Sequence, residues 1–176
     1  DFNSDGKSDM AVGAYGNSSS VGRSYIFYND GAYPAAAASA DVVFSGEQYF
    51  GQAVTSGDFN TDGRVDLAVG ANGYSTNTGR AYIFYNDGAY PAGATTADVT
   101  ITGEASSSFG YSLVSGDFNT DGKMDLAVGA VNYSSATGRA YIFNNDGTIP
   151  TTAATADVII SGETASDLFG VSIASG

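Results

Sequence analysis

One nine-residue loop occurs three times in this chain and limits what the chain can become. Its copies are Asp1-Phe2-Asn3-Ser4-Asp5-Gly6-Lys7-Ser8-Asp9, Asp58-Phe59-Asn60-Thr61-Asp62-Gly63-Arg64-Val65-Asp66 and Asp117-Phe118-Asn119-Thr120-Asp121-Gly122-Lys123-Met124-Asp125. They begin at residues 1, 58 and 117, so the period is 57 and then 59 residues. A fixed period of this order marks an array, propeller or solenoid, in which each unit buries its apolar face on the next. The expectation is a single repeat domain over residues 1–176, with repeats at 1–57, 58–116 and 117–176.

One full repeat can be read from Phe50. Phe50–Ser56 is a short strand, and Gly57 turns into the acidic loop. Val65–Ala71 is apolar enough for a strand buried on both faces. Asn72–Gly79, rich in Gly, Ser, Thr and Asn, is a loop. Arg80–Tyr85 is strongly β in propensity, and Asn86-Asp87-Gly88 is a turn. A spacer from Ala89 to Ala97 leads to the alternating strand Asp98–Thr102. The alanine run Ala35–Ala38 follows Pro34, and its counterparts after Pro91 and Pro150 would not sustain a helix, so all three read as loop. Four antiparallel strands per repeat make the blade of a β-propeller, an all-β fold.

The loop itself has the chemistry of a hard-cation site. Calcium takes six to eight oxygen ligands from carboxylates, amides, carbonyls and water. Alternate residues of a tight loop can all point inward. That gives Asp1, Asn3, Asp5 and Asp9 in the first copy, Asp58, Asn60, Asp62 and Asp66 in the second, and Asp117, Asn119, Asp121 and Asp125 in the third. Lys7, Arg64 and Lys123 are placed to offer a backbone carbonyl. Gly6, Gly63 and Gly122 allow the sharp turn. A plain Asx turn would explain one copy, but three copies with every oxygen position kept argue for about one Ca2+ per repeat. The loop ends in Asp at position 9 and runs into a strand, so it is not an EF-hand. The expected metal role is structural.

Composition removes whole function classes. Without His or Cys there is no Ser-His-Asp or Cys-His nucleophile, no thiolate or imidazole zinc site and no disulfide. The chain is therefore expected not to be an enzyme. Nineteen acidic residues oppose six basic ones, a formal charge of −13 that argues against nucleic acid as a partner. No apolar run is long enough to span a membrane, so membrane insertion is not expected.

These residues resemble the FG-GAP repeat of integrin α-subunit propellers. Phe50-Gly51, Phe109-Gly110 and Phe169-Gly170 match its "FG", and Gly13-Ala14, Gly70-Ala71 and Gly129-Ala130 match its "GA". The next residue departs from the usual Pro, being Tyr15, Asn72 and Val131. The resemblance covers essentially the whole chain. It implies a propeller fold, calcium between the first two strands of each blade, and an extracellular or cell-surface setting. It leaves the ligand open, because such propellers serve adhesion, scaffolding and carbohydrate binding.

Three blade equivalents do not close a ring, and the repeat boundaries fall inside a blade. Asp1–Ser45 holds strands two to four of a blade, while Phe169–Gly176 reads as a first strand with no blade behind it. Two expectations follow: self-association through the terminal strands, as ring or filament, or a piece of a longer propeller. The first loop, lacking its lead-in strand, should be the weakest site. Arg23, Arg80 and Arg139 read as strand-end charges pairing with a local acid, or as an anion or glycan contact. Tyr15, Tyr74 and Tyr133 sit in polar loops that would suit a sugar. Asn17-Ser18-Ser19 and Asn132-Tyr133-Ser134 are glycosylation sequons, and Ser18–Ser20 could carry O-linked sugar. Phe50, Phe109 and Phe169 read as packing between blades. The leading reading is an extracellular calcium-stabilised module for adhesion or surface assembly, with a lectin propeller as the alternative.

Overall fold

The computed structural model describes residues 1–17 and 21–176. The triplet Ser18–Ser20, and with it the Asn17-Ser18-Ser19 sequon, lies outside the described residues. Among the described residues eleven strands form three antiparallel sheets. The first blade contains β1 (Met10–Ala14), β2 (Val21–Phe27) and β3 (Val42–Gln48). The second contains β4 (Phe50–Gly57), β5 (Asp66–Ala71), β6 (Arg80–Phe84) and β7 (Val99–Thr102). The third contains β8 (Phe109–Gly116), β9 (Asp125–Ala130), β10 (Arg139–Phe143) and β11 (Val158–Ser161). Each blade is a meander in chain order, so every strand pairs with its sequence neighbour. The four-strand blade read from the sequence is the one observed in the second and third blades, and three strands of the first blade lie among the described residues.

Burial explains why these segments become strands. β5 and β9 share the sequence Asp-Leu-Ala-Val-Gly-Ala and are buried along their whole length. Leu67 and Val69 belong to the core between blades one and two, while Ala68 belongs to the core between blades two and three. A strand covered on both faces needs no polar alternation. The aromatic strands β6 and β10 do the same work with larger groups. Phe84 meets Phe44 of the first blade at a ring separation of 4.8 Å, and Phe50 packs edge-on to it. Phe109 repeats this geometry against Tyr141 and Phe143.

The "FG" and "GA" glycines form one contact. Gly51 and Gly110 take φ of 84° and 85°, and each of their carbonyl oxygens lies against the glycine of the preceding blade, Gly13 or Gly70. A Cβ on Gly70 would overlap the Gly110 oxygen, a backbone atom that cannot swing away. Gly70→Ala should therefore lower stability by about 3 kcal/mol, the upper part of the usual overpacking range. Chemical denaturation measures it, and an unchanged midpoint would show that the blades can separate without cost.

Two local features differ from the sequence reading. Each spacer read as loop contains one 3-10 turn, at Ala37–Ser39, Ala94–Thr96 and Ala153–Thr155, short enough to form without helix propensity. The loops after β5 and β9 make single tight turns through left-handed backbone. Ser75, Thr76 and Asn77 have φ of 44°, 53° and 63°, a conformation that ordinary side chains adopt at a cost. The C-terminal segment Phe169–Gly176 is also not a sheet strand. It makes one parallel bridge, from Phe169 to Gly138, as Phe109 does to Gly79.

Candidate functional site

The acidic loops join the first strand of a blade to the second, and their side chains shape the turn from inside. In the second copy Asp58 accepts the N–H of Asp62 at 3.1 Å and of Gly63 at 2.9 Å. Asn60 Oδ1 accepts the Asp62 N–H at 3.1 Å, and Asp62 accepts that of Arg64 at 2.8 Å. Gly63 sits at φ 85° in open space, as the turn requires. The first copy repeats the set through Asp1, Asn3 and Asp5. The third repeats it through Asp117, Asn119 and Asp121. The three loops thus share one hydrogen-bond pattern of two carboxylates and one amide oxygen.

The ninth residue does something different. Asp66 is completely buried, and its two oxygens accept the N–H of Phe59 and of Asn86, each at 2.8 Å. Asp125 is equally buried and accepts from Phe118 and Asn145, again at 2.8 Å. Asp9 accepts from Phe2 and Asn29 but remains half-buried. This carboxylate ties the loop to the turn after the third strand, two segments that are distant in sequence. Burial raises the Asp66 pKa to about 6, despite the backbone N–H groups that favour its charge. The negative charge of Asp62 raises it further. A cation beside the loop would offset that cost.

The donor set fits a hard cation. All side-chain donors are oxygens, and the loop holds them in a defined backbone frame. Each Asp66 oxygen is taken by one N–H and keeps a second lone pair. The outer oxygen of the fifth residue draws a positive or polar hydrogen in every copy: Lys7 Nζ at 3.1 Å from Asp5, Asn60 Nδ2 at 3.2 Å from Asp62, and Lys123 Nζ at 3.9 Å from Asp121. Backbone hydrogen bonding, above all from Lys7, holds the Asp5 pKa below the usual carboxylate range. Among the described residues no three His, Cys, Asp or Glu side chains gather into a ready cluster.

A family model for the FG-GAP-like repeat matches residues 1–69 and again 58–128. The chain belongs to the FG-GAP-like repeat family. Integrin alpha-3 of Mus musculus is 39% identical over 105 residues, which cover 55% of this chain and 9% of that protein. Phosphatidylinositol-glycan-specific phospholipase D of Bos taurus is 35% identical over 149 residues, covering 74% of this chain and 17% of that protein. Integrin alpha-7 of Homo sapiens is 39% identical over 98 residues, 51% of this chain and 8% of that protein. The chain therefore spans only a small part of the length of these relatives.

In this FG-GAP-like chain the blade junctions use residues that the sequence reading placed only partly. Arg80 and Arg139 do pair with acids, but with those of the preceding blade: Glu47 at 3.3 Å and Glu104 at 3.0 Å. The hydroxyls of Tyr82 and Tyr141 donate to the same two glutamates. The Tyr74 and Tyr133 rings each have one face covered by the Arg80 or Arg139 guanidinium, at 3.6 and 3.5 Å. Tyr15 is not their structural counterpart and packs on Tyr49. Asn86 and Asn145 reach back across the junction to the carbonyls of Phe2 and Phe59, at 2.8 and 2.7 Å. From sequence Asn86 reads only as part of a turn, and no partner across the blades is assigned to the asparagines or the glutamates. The repeated pairs Gly46-Glu47, Gly103-Glu104 and Gly162-Glu163 carried the signal.

Proposed function

We propose that this chain is a non-catalytic, calcium-stabilised propeller module acting outside the cell or at its surface, in adhesion or surface assembly. The observation that carries the reading is the threefold recurrence of one oxygen-lined loop with one hydrogen-bond frame. Asp58, Asn60 and Asp62, with the Arg64 carbonyl and Asp66, would hold the ion, and the equivalent residues would do so in the other copies. Bound calcium supplies charge compensation and a fixed turn, not a reaction. Loops of this kind fill readily at the millimolar calcium found outside cells, which supports that setting. The absence of His and Cys supports a binding role over catalysis, and the match to a phospholipase covers too little of that enzyme to bring its activity here. A carbohydrate site on Tyr74 and Tyr133 has less support, because a guanidinium already covers one face of each ring.

Calorimetric titration of metal-stripped protein tests the proposal. Calcium should bind at about one ion per loop, with magnesium much weaker because it demands a small octahedral shell. The double variant Asp58→Ala with Asp62→Ala should lose one site and keep the others. No heat and no binding at millimolar calcium would reject the reading.

A further inference from the structure

Where blade one stacks on blade two, the junction encloses a cavity of about 550 Å³ beside the first acidic loop. Phe2, Tyr28, Val42 and Tyr90 give it apolar walls. A second cavity, of about 240 Å³, lies at the same place in the junction between blades two and three. There Phe59 stands for Phe2, Tyr85 for Tyr28, Asn145 for Asn86 and Lys123 for Arg64. The recurrence makes the cavity a product of blade stacking.

Its polar lining is one-sided. The chain carries nineteen acidic residues against six basic ones, yet no carboxylate lines either cavity and a cation lines both. Two of the polar groups in the larger cavity are already engaged. The Asn86 amide donates to the Phe2 carbonyl at 2.8 Å, and the Tyr90 hydroxyl donates to the Val65 carbonyl. Those bonds fix the walls. Arg64 directs one guanidinium nitrogen to the Asn86 carbonyl, at 3.2 Å. Among the described residues Arg64 makes no ion pair, whereas Lys123 lies 3.9 Å from Asp121. The Ser4 and Tyr28 hydroxyls and the Asn3 amide nitrogen also line the cavity, and among the described residues none of them has a hydrogen-bond partner. A cation and three further donors thus surround an aromatic-walled space.

We propose that the cavity between blades one and two binds a small organic carboxylate with a flat apolar body. The Arg64 guanidinium takes the carboxylate through the N–H groups that the Asn86 bond leaves free, a pairing that planar guanidinium geometry favours. The Ser4 and Tyr28 hydroxyls supply further donors, and the body lies against Phe2 and Tyr90. A cavity of this volume suits a ligand the size of an arylalkyl carboxylate, while the smaller cavity would take only a smaller anion. The proposal goes beyond the metal reading and stands without it. In that reading Arg64 serves the ion through its backbone carbonyl, which leaves the side chain to the cavity.

Titration of isotope-labelled protein with phenylpropionate, followed by heteronuclear NMR in the presence of calcium, tests this. The backbone amides of Ser4, Gly88 and Ala89 should shift together and saturate. Phenylpropionamide, of the same shape without the charge, should bind about tenfold more weakly or worse. Arg64→Gln should cause a loss of the same size, and Arg64→Lys should keep part of the affinity. Arg64 is exposed, so both variants should fold, and unchanged amide shifts away from the cavity verify it. No shift of the three amides at millimolar phenylpropionate would overturn the proposal. So would equal binding of acid and amide. Undiminished binding by Arg64→Gln would overturn it too, and would place the carboxylate on calcium in the loop instead.

Discussion

Calcium should raise the melting temperature of metal-stripped protein by roughly 15–30 °C, the largest effect expected here. Ligand at 100 times its Kd stabilises a folded site by about 2.7 kcal/mol, so three filled loops contribute about 8 kcal/mol. At about 2–4 °C per kcal/mol for a chain of this size, that sum becomes the stated shift. The physical source lies in the loops. Two carboxylates in each copy, exposed except for the half-buried Asp58, converge on one turn, and in the second copy the buried Asp66 adds its charge. Without a cation these charges oppose one another. The first loop should respond least, because Asp9 is only half-buried. Differential scanning calorimetry in calcium and in chelator checks the prediction. Coincident melts would mean that the hydrogen-bond frame of the loops suffices alone.

Asp66→Ala should destabilise the chain by about 4 kcal/mol even with calcium absent. The carboxylate accepts two fully buried backbone N–H groups, from Phe59 and Asn86. Removing the acceptor leaves both donors unsatisfied, at roughly 1–3 kcal/mol each. Asn86 also donates across the junction to Phe2, so loss of its anchor should loosen the contact between blades one and two. Asp9→Ala should cost clearly less, since water reaches that half-buried carboxylate. Urea denaturation in chelator separates this structural role from metal binding. If Asp66→Ala and Asp62→Ala were equally mild in chelator, Asp66 would be merely a ligand and not a tie.

The blade was legible in the sequence because its signals are local. Leu67–Ala71 is apolar throughout, Tyr82-Ile83-Phe84 is strongly β, and Asn86-Asp87-Gly88 is a turn; each reports its state within a few residues. The oxygen-bearing loop was legible for the same reason, its spacing of two being the period of an inward-pointing tight turn. Glu47 was not legible as a partner of Arg80, nor Asn86 as a partner of Phe2, since those pairs lie 33 and 84 residues apart. Nothing local marks a contact made only when one blade stacks on another. The left-handed turn at Ser75–Asn77 was invisible too, because Ser and Thr ordinarily avoid it.

The repeated loop, its spacing and the four-strand unit were therefore determined by the sequence alone, since hydrophobic pattern, turn chemistry and periodicity act over short distances. Tertiary structure decided which acid is buried and which stays exposed. Asp62 and Asp66 are four residues apart, carry the same side chain and appear equivalent in sequence. Packing of β5 between two blades buries Asp66 among amide donors and leaves Asp62 exposed, and that burial separates a tie across the fold from a bond within the local turn.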